Sequence, residues 1–127
     1  MKAESIKTPN APRPAGAYSQ AVRVGELVFT AQIGPFDPKT NELVAPGNMA
    51  AQTRRTLENI EAVLQAAGSA LEKVVKVTAY IDGSQWQEFN EAYAAFFGDV
   101  AVLPARSIVE RPAAGGKMVS MEAIAYI

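Results

Sequence analysis

The sequence predicts an α+β domain, a single β-sheet with two helices on one face. Three observations carry that prediction. Two segments repeat apolar residues at spacings of three and four, the mark of a helix with one buried stripe. Several others alternate, or run apolar for less than a helix's length, as strands do. No repeat, low-complexity tract or linker divides them, so the 127 residues form one domain, 1–127.

The opening, with Pro9, Pro12 and Pro14, reads as an extended lead-in, because proline removes backbone donors. Gly25-Glu26 separates two short apolar runs, Val22 to Val24 and Leu27 to Ile33, which read as a hairpin. The turn-rich stretch GPFDPKTNELVAPG, residues 34–47, is mostly loop. From Asn48 to Gly68, the residues Met49, Thr53, Leu57, Ile60 and Leu64 draw one helical stripe. Arg54, Arg55, Glu58, Glu61 and Gln65 fall on its polar sides, with Asn48 as N-cap and Gly68 as the C-terminal stop.

VVKVTAYI, residues 74–81, alternates as a strand, with Val75, Val77, Ala79 and Ile81 on one face. A second helix spans about Ser84 to Phe97, with Trp86, Phe89, Tyr93 and Phe96/Phe97 as its stripe and Ser84 with Gln87 as a capping box. ARSIVE and MVSMEAIAYI complete the strands, giving the order β-β-β-α-β-α-β-β. Helices with one stripe cover one side of a sheet. The last strand is nearly apolar on both sides, so the uncovered face needs a partner, and a second copy of the chain is the simplest one.

Composition narrows the chemistry. There is no cysteine, which excludes disulfides and thiol catalysis, and no histidine, the commonest general base near neutral pH. Catalysis must use carboxylates, Tyr, Lys, Arg, backbone groups or water. Net charge is −1 and Arg54-Arg55 is the one adjacent basic pair, so no nucleic-acid partner is expected. No apolar run approaches the roughly 20 residues of a membrane span, and the N-terminus lacks a signal peptide's apolar core. A cytoplasmic location with no membrane association is expected.

Arg106, in PARSIVERP, has two readings. It is a surface arginine or a structural ion pair with a glutamate. Alternatively its rigid fork clamps a carboxylate or phosphate, with Pro104 pre-ordering the chain before it. Glu122 is a buried partner for a cation or backbone amides, or a base with raised pKa. Tyr18 is core, interface or a ligand-contacting hydroxyl. Phe89 reads as core and Asn90 as solvated. The glycine loops GPFDP and AAGGK match no phosphate-cradling pattern and read as ordinary turns.

Taken in order, AYSQAV, VFTAQIGPFDPKTNEL, QTRRTLENIEAVLQAAGSALEKVVKVTAYI, FNEAYAAFF, PARSIVE and MEAIA resemble blocks of the Rid (reactive intermediate deaminase) or YjgF family, over nearly the whole chain. The resemblance implies a chorismate-mutase-like fold, a homotrimer around a central barrel-like core, and ligand clefts between subunits. It implies hydrolysis of carboxylate-bearing enamines and imines, such as 2-aminoacrylate, to 2-keto acids and ammonia, with no metal and no organic cofactor. Arg106 matches the family arginine that holds the substrate carboxylate. Tyr18, Phe89 and Asn90 match cleft positions. Backbone carbonyls beside the arginine, in the Pro104–Ala105 stretch, would hold the iminium and the attacking water.

Three positions depart from the family pattern. Ser120 stands where family deaminases carry the glutamate that positions the water, and Glu122 lies on the same face ~7 Å along the strand. Ile108 stands where cysteine is common. In TAQIG, either Ala31 or Thr30 meets the family serine. The resemblance therefore implies a divergent branch. An imine/enamine deaminase is the leading expectation, with a non-catalytic carboxylate-binding or chaperone-like trimer as the alternative and an endoribonuclease disfavoured.

Overall fold

The computed structural model describes all 127 residues. Strands β1 (Ala3–Ile6), β2 (Ala21–Val24) and β3 (Leu27–Thr30) precede helix α1 (Met49–Ala66). Strand β4 (Val74–Ile81), helix α2 (Trp86–Phe97), β5 (Ala105–Glu110) and β6 (Val119–Tyr126) follow. One six-stranded sheet results, in the order β1-β2-β3-β6-β4-β5. Only the β4–β5 pair is parallel, because α2 carries the chain back between them. The expected α+β class and element order hold, and the extended lead-in contains the edge strand β1.

Sequence periodicity explains the core. The α1 stripe is buried from Met49 to Leu64. It meets Val28, Val77, Ala79, Ile81, Val119, Met121, Ala123 and Ala125 from one face of the sheet. Asn48 caps α1, its side-chain oxygen accepting from Ala51 N–H at 3.0 Å. Gly68 ends the helix at φ 86°, a conformation glycine adopts without strain.

Three expectations are corrected. A bulge between Val74 and Lys76 shifts the β4 register, so Val74 is buried and Val75 is exposed. The α2 capping box does not form: Asp82 accepts from both the N–H and the hydroxyl of Ser84, while Gln87 donates to Glu91. The hairpin's second strand ends at Thr30, and Ile33 rejoins the sheet only as an isolated bridge to Met121. Ala31 and Gln32 are thereby lifted out of the ladder.

The irregular segments are pinned by buried carboxamides. Gln52 lies in the middle of α1 and is fully buried. Its Nε2 reaches the carbonyls of Val44, Ala45 and Gly116 at 3.0, 3.1 and 2.8 Å, and its Oε1 accepts from Met118 N–H at 2.8 Å. Asn59 holds the Gly34 and Phe36 carbonyls, and Gln20 closes on Thr8, Ala11 and Pro12.

Beyond the loops that wall Ser120, the sheet face away from the helices has no cover within the chain. Leu27 and Phe29 lie opposite Tyr126 and Ile124 there, and Phe29 remains 42 % exposed. Losing Gln52 strands several buried backbone groups at once. Gln52→Ala is expected to cost at least ~3 kcal/mol, read as a lower urea midpoint at unchanged m-value.

Candidate functional site

The chemistry-bearing residues fall into two groups on opposite faces of the sheet. The first surrounds Arg106. On β5, Arg106 is paired with Val77 and so projects to the helix side, over α2. Trp86, Phe89, Tyr93 and Phe97 recur along one flank of that helix, with successive ring centroids 6.2, 5.6 and 4.7 Å apart. The Arg106 guanidinium carbon sits 4.7 Å from the Tyr93 ring centre, 5.4 Å from Phe89 and 5.6 Å from Trp86. Each face attracts a cation, so the strand and the helix together fix the guanidinium.

The ion-pair reading of Arg106 is not what the structure contains. Arg55–Glu58 is the chain's one salt bridge. Arg106 is half-buried, charged, and hydrogen-bonded to no acceptor of its own chain. Phe89 is fully buried beneath it, so that residue supports the arginine and has no surface to offer a ligand. Asn90 and Pro104 are half-buried. Ala105 is exposed, its side chain on the opposite face from Arg106. Ile108 lines a shallow depression with Gly83, Trp86 and Glu110.

The second group lines a cavity of about 580 Å³ on the other side. Tyr18, Ala31 and Ser120 meet there, with Gln32, Lys117 and Arg13. Tyr18 is half-exposed rather than core, and its hydroxyl oxygen accepts from Ala15 N–H at 3.0 Å. Ser120 is buried, and its hydroxyl accepts from Gln32 Nε2 at 2.7 Å. The break after β3 gives Gln32 that reach. Thr30 is structural: its hydroxyl accepts from Ala123 N–H and donates to the Ala31 carbonyl, leaving Ala31 as the residue at the cavity.

Glu122 pairs with neither a cation nor a backbone amide; it accepts the hydroxyl of Tyr80. That bond to a carboxylate pushes the Tyr80 hydroxyl's pKa up. The sequence reading passed over Lys117, Arg13 and Gln32, and took Trp86 only as part of the second helix's apolar stripe. One signal was available for Lys117. It follows Gly115 and Gly116, whose positive φ values of 59° and 82° turn the chain so that the lysine lines the cavity.

Arg106 and Ser120 therefore stand on opposite faces and two strands apart, about 10 Å across the sheet. One ligand cannot touch both within a single chain.

Residues 8–127 match the protein family described as Endoribonuclease L-PSP. The chain belongs to this family, the Rid/YjgF proteins. A RutC family protein of Pyrococcus horikoshii is 46 % identical over 125 residues, 97 % of each chain. The 2-iminobutanoate/2-iminopropanoate deaminase of Escherichia coli K12 is 39 % identical over 109 residues, 84 % of each. The crystal structure of E. coli TdcF with bound serine superposes with a TM-score of 0.89 at 35 % identity, covering 98 % of each chain. The six-stranded sheet with two helices on one face is thus the Rid fold.

In this Rid chain the aromatic platform makes one prediction by itself. Tyr93 is buried and its hydroxyl has no partner. Burial pushes its pKa up to about 12, with Arg106 pulling the other way. The unfolded side chain ionises near 10. The folded state therefore keeps a proton that the unfolded chain releases. The associated stability is fully present below pH ~10 and is lost as pH rises through about 12. Tyr93→Phe should stay within ~1 kcal/mol of the native protein at pH 7, having no hydrogen bond to lose. In urea unfolding between pH 10 and 12 it should lose less stability than the native protein does.

Proposed function

We propose that the protein hydrolyses carboxylate-bearing imines and enamines to 2-keto acids and ammonia. The observation that carries this reading is Arg106, a cation seated on three aromatic rings with its fork free of any acceptor in its own chain. Such a fork matches a carboxylate in geometry and charge. A deaminase among the relatives and a family structure holding an amino acid support it.

An imine carbon is already electrophilic, so the protein's task is mainly to hold it and bring water to it. Arg106 grips the carboxylate and fixes the adjacent C=N carbon. Carbonyls of the Pro104–Ala105 stretch face the iminium. The water oxygen adds to that carbon, the carbinolamine collapses, the C–N bond breaks, and ammonium leaves as the C=O forms. Ser120 orients the water: its oxygen already accepts from Gln32, so its own proton is free to be donated. Serine is not a base, so nothing at this position drives proton removal, and this favours a second reading, a carboxylate-binding protein without turnover.

We place the complete site between subunits. Arg106 of one copy meets the Tyr18–Ser120 cavity of the next, because no single chain brings them together. The uncovered apolar stripe of Leu27, Phe29, Ile124 and Tyr126 is where copies would pack, and a trimer closed around that face is the expected assembly. Its location is expected to be cytoplasmic.

The test generates imines from amino acids with an oxidase and follows keto-acid release. Native protein should accelerate it. Arg106→Ala should lower kcat/KM by on the order of a hundredfold, with Arg106→Lys intermediate. A folded protein that binds 2-keto acids through Arg106 yet accelerates no imine would leave only the binding reading. RNA incubated in parallel checks the ribonuclease label. Sites shared between copies make a further prediction: Arg106→Ala and Tyr18→Ala chains, unfolded and refolded together, should be more active than either impaired variant refolded alone.

A further inference from the structure

The cavity holding Ser120 has an unusual charge balance. Its lining includes Arg13 and Lys117 and no aspartate or glutamate. Neither cation forms an ion pair, the chain's one salt bridge being Arg55–Glu58 on α1. The Lys117 stem passes beside Gly34 at ordinary contact distance, a Cβ there standing 3.8 Å from Lys117 Cδ, while the Phe36 ring crowds the same glycine. Lys117 and Ser120 also border a second, smaller cavity of about 170 Å³, and there the added charged residue is Arg111, packed over the Tyr80 ring at 4.7 Å. The carboxylate on this face, Glu122, is already engaged by Tyr80. Three cationic side chains thus flank one buried hydroxyl, and none is neutralised by an ion pair.

Two unpaired cations around a concave, partly apolar pocket are a receptor for an anion. We infer that this pocket takes a second carboxylate, on the substrate's side chain, and that Lys117 makes the protein prefer imines of dicarboxylic 2-keto acids. The inference rests on the deaminase reading for its chemistry: Arg106 takes the carboxylate beside the imine and Lys117 the distal one. Four- and five-carbon dicarboxylic imino acids are the class that carries both groups. The reaction is unchanged, with water adding at the imine carbon and ammonium leaving. Lys117 touches only the distal end and acts on selection.

The test has two arms on the native assembly. In the first, imines are generated by oxidases from glutamate and aspartate, and from alanine as monocarboxylic comparator. The ratio of dicarboxylic to monocarboxylic kcat/KM should be about 10 or more, should fall about tenfold in Lys117→Ala, and should drop below one in Lys117→Glu. A native ratio near one, or a ratio unmoved by Lys117→Glu, overturns the inference. The second arm measures binding of 2-oxoglutarate against 2-oxobutanoate by calorimetry. If no imine is hydrolysed but 2-oxoglutarate still binds about tenfold tighter, and Lys117→Glu abolishes that advantage, the deaminase reading falls and the anion pocket stands. If 2-oxoglutarate binds no tighter, the anion pocket falls whatever the turnover.

Discussion

A helix-borne carboxamide in the core holds the irregular part of this protein together. Gln52 points inward from α1, where periodicity alone would call for a leucine. It does so because three backbone carbonyls and one N–H from two separate loops converge on it. A loop buried without such partners would leave those groups unsatisfied at a cost the fold cannot absorb. Asn59, two turns along the same helix, does the same for Gly34 and Phe36, and Gln20 does so for the proline-rich lead-in. The three segments so fixed form the walls of the Ser120 cavity. The Ser120 cavity is thus built from loops but positioned by the helix packed on the other side of the sheet.

Arg106, on the opposite face of the sheet, depends on a different force. Arg106 is anchored by aromatic faces alone, with no carboxylate beside it in its chain. That choice leaves the charge uncompensated and the fork open. An ion pair would have fixed the side chain equally well and consumed the donors a ligand needs. The parallel β4–α2–β5 unit makes this arrangement, because it lays the aromatic flank of α2 against the edge strand that carries the arginine.

Much of this was legible from the sequence. The α1 stripe, its caps, the alternation of β6 and the order of elements follow from side-chain periods that local geometry imposes. Two of the misreadings share one cause: the β4 bulge and the early end of β3 set register against β6, a strand distant in sequence, whereas the α2 cap is replaced locally by Asp82 taking the N–H and hydroxyl of Ser84. Arg106 and Ser120 were both legible as candidates, but no local pattern showed that one sheet holds them on opposite faces. Phe89 was expected both in the core and at a ligand; it lies in the core, under the arginine.

By itself, then, the sequence determined the fold class, the buried stripes, the residues able to do chemistry and the family resemblance, since each is written in local spacing and residue type. Tertiary structure alone decided that Arg106 rests on a ring platform instead of an acid, that Gln32 reaches Ser120, and that Lys117 and Arg13 face one cavity. Those outcomes depend on strand register and on which loops the buried carboxamides draw together. They are contacts across many tens of residues, and no local pattern encodes them.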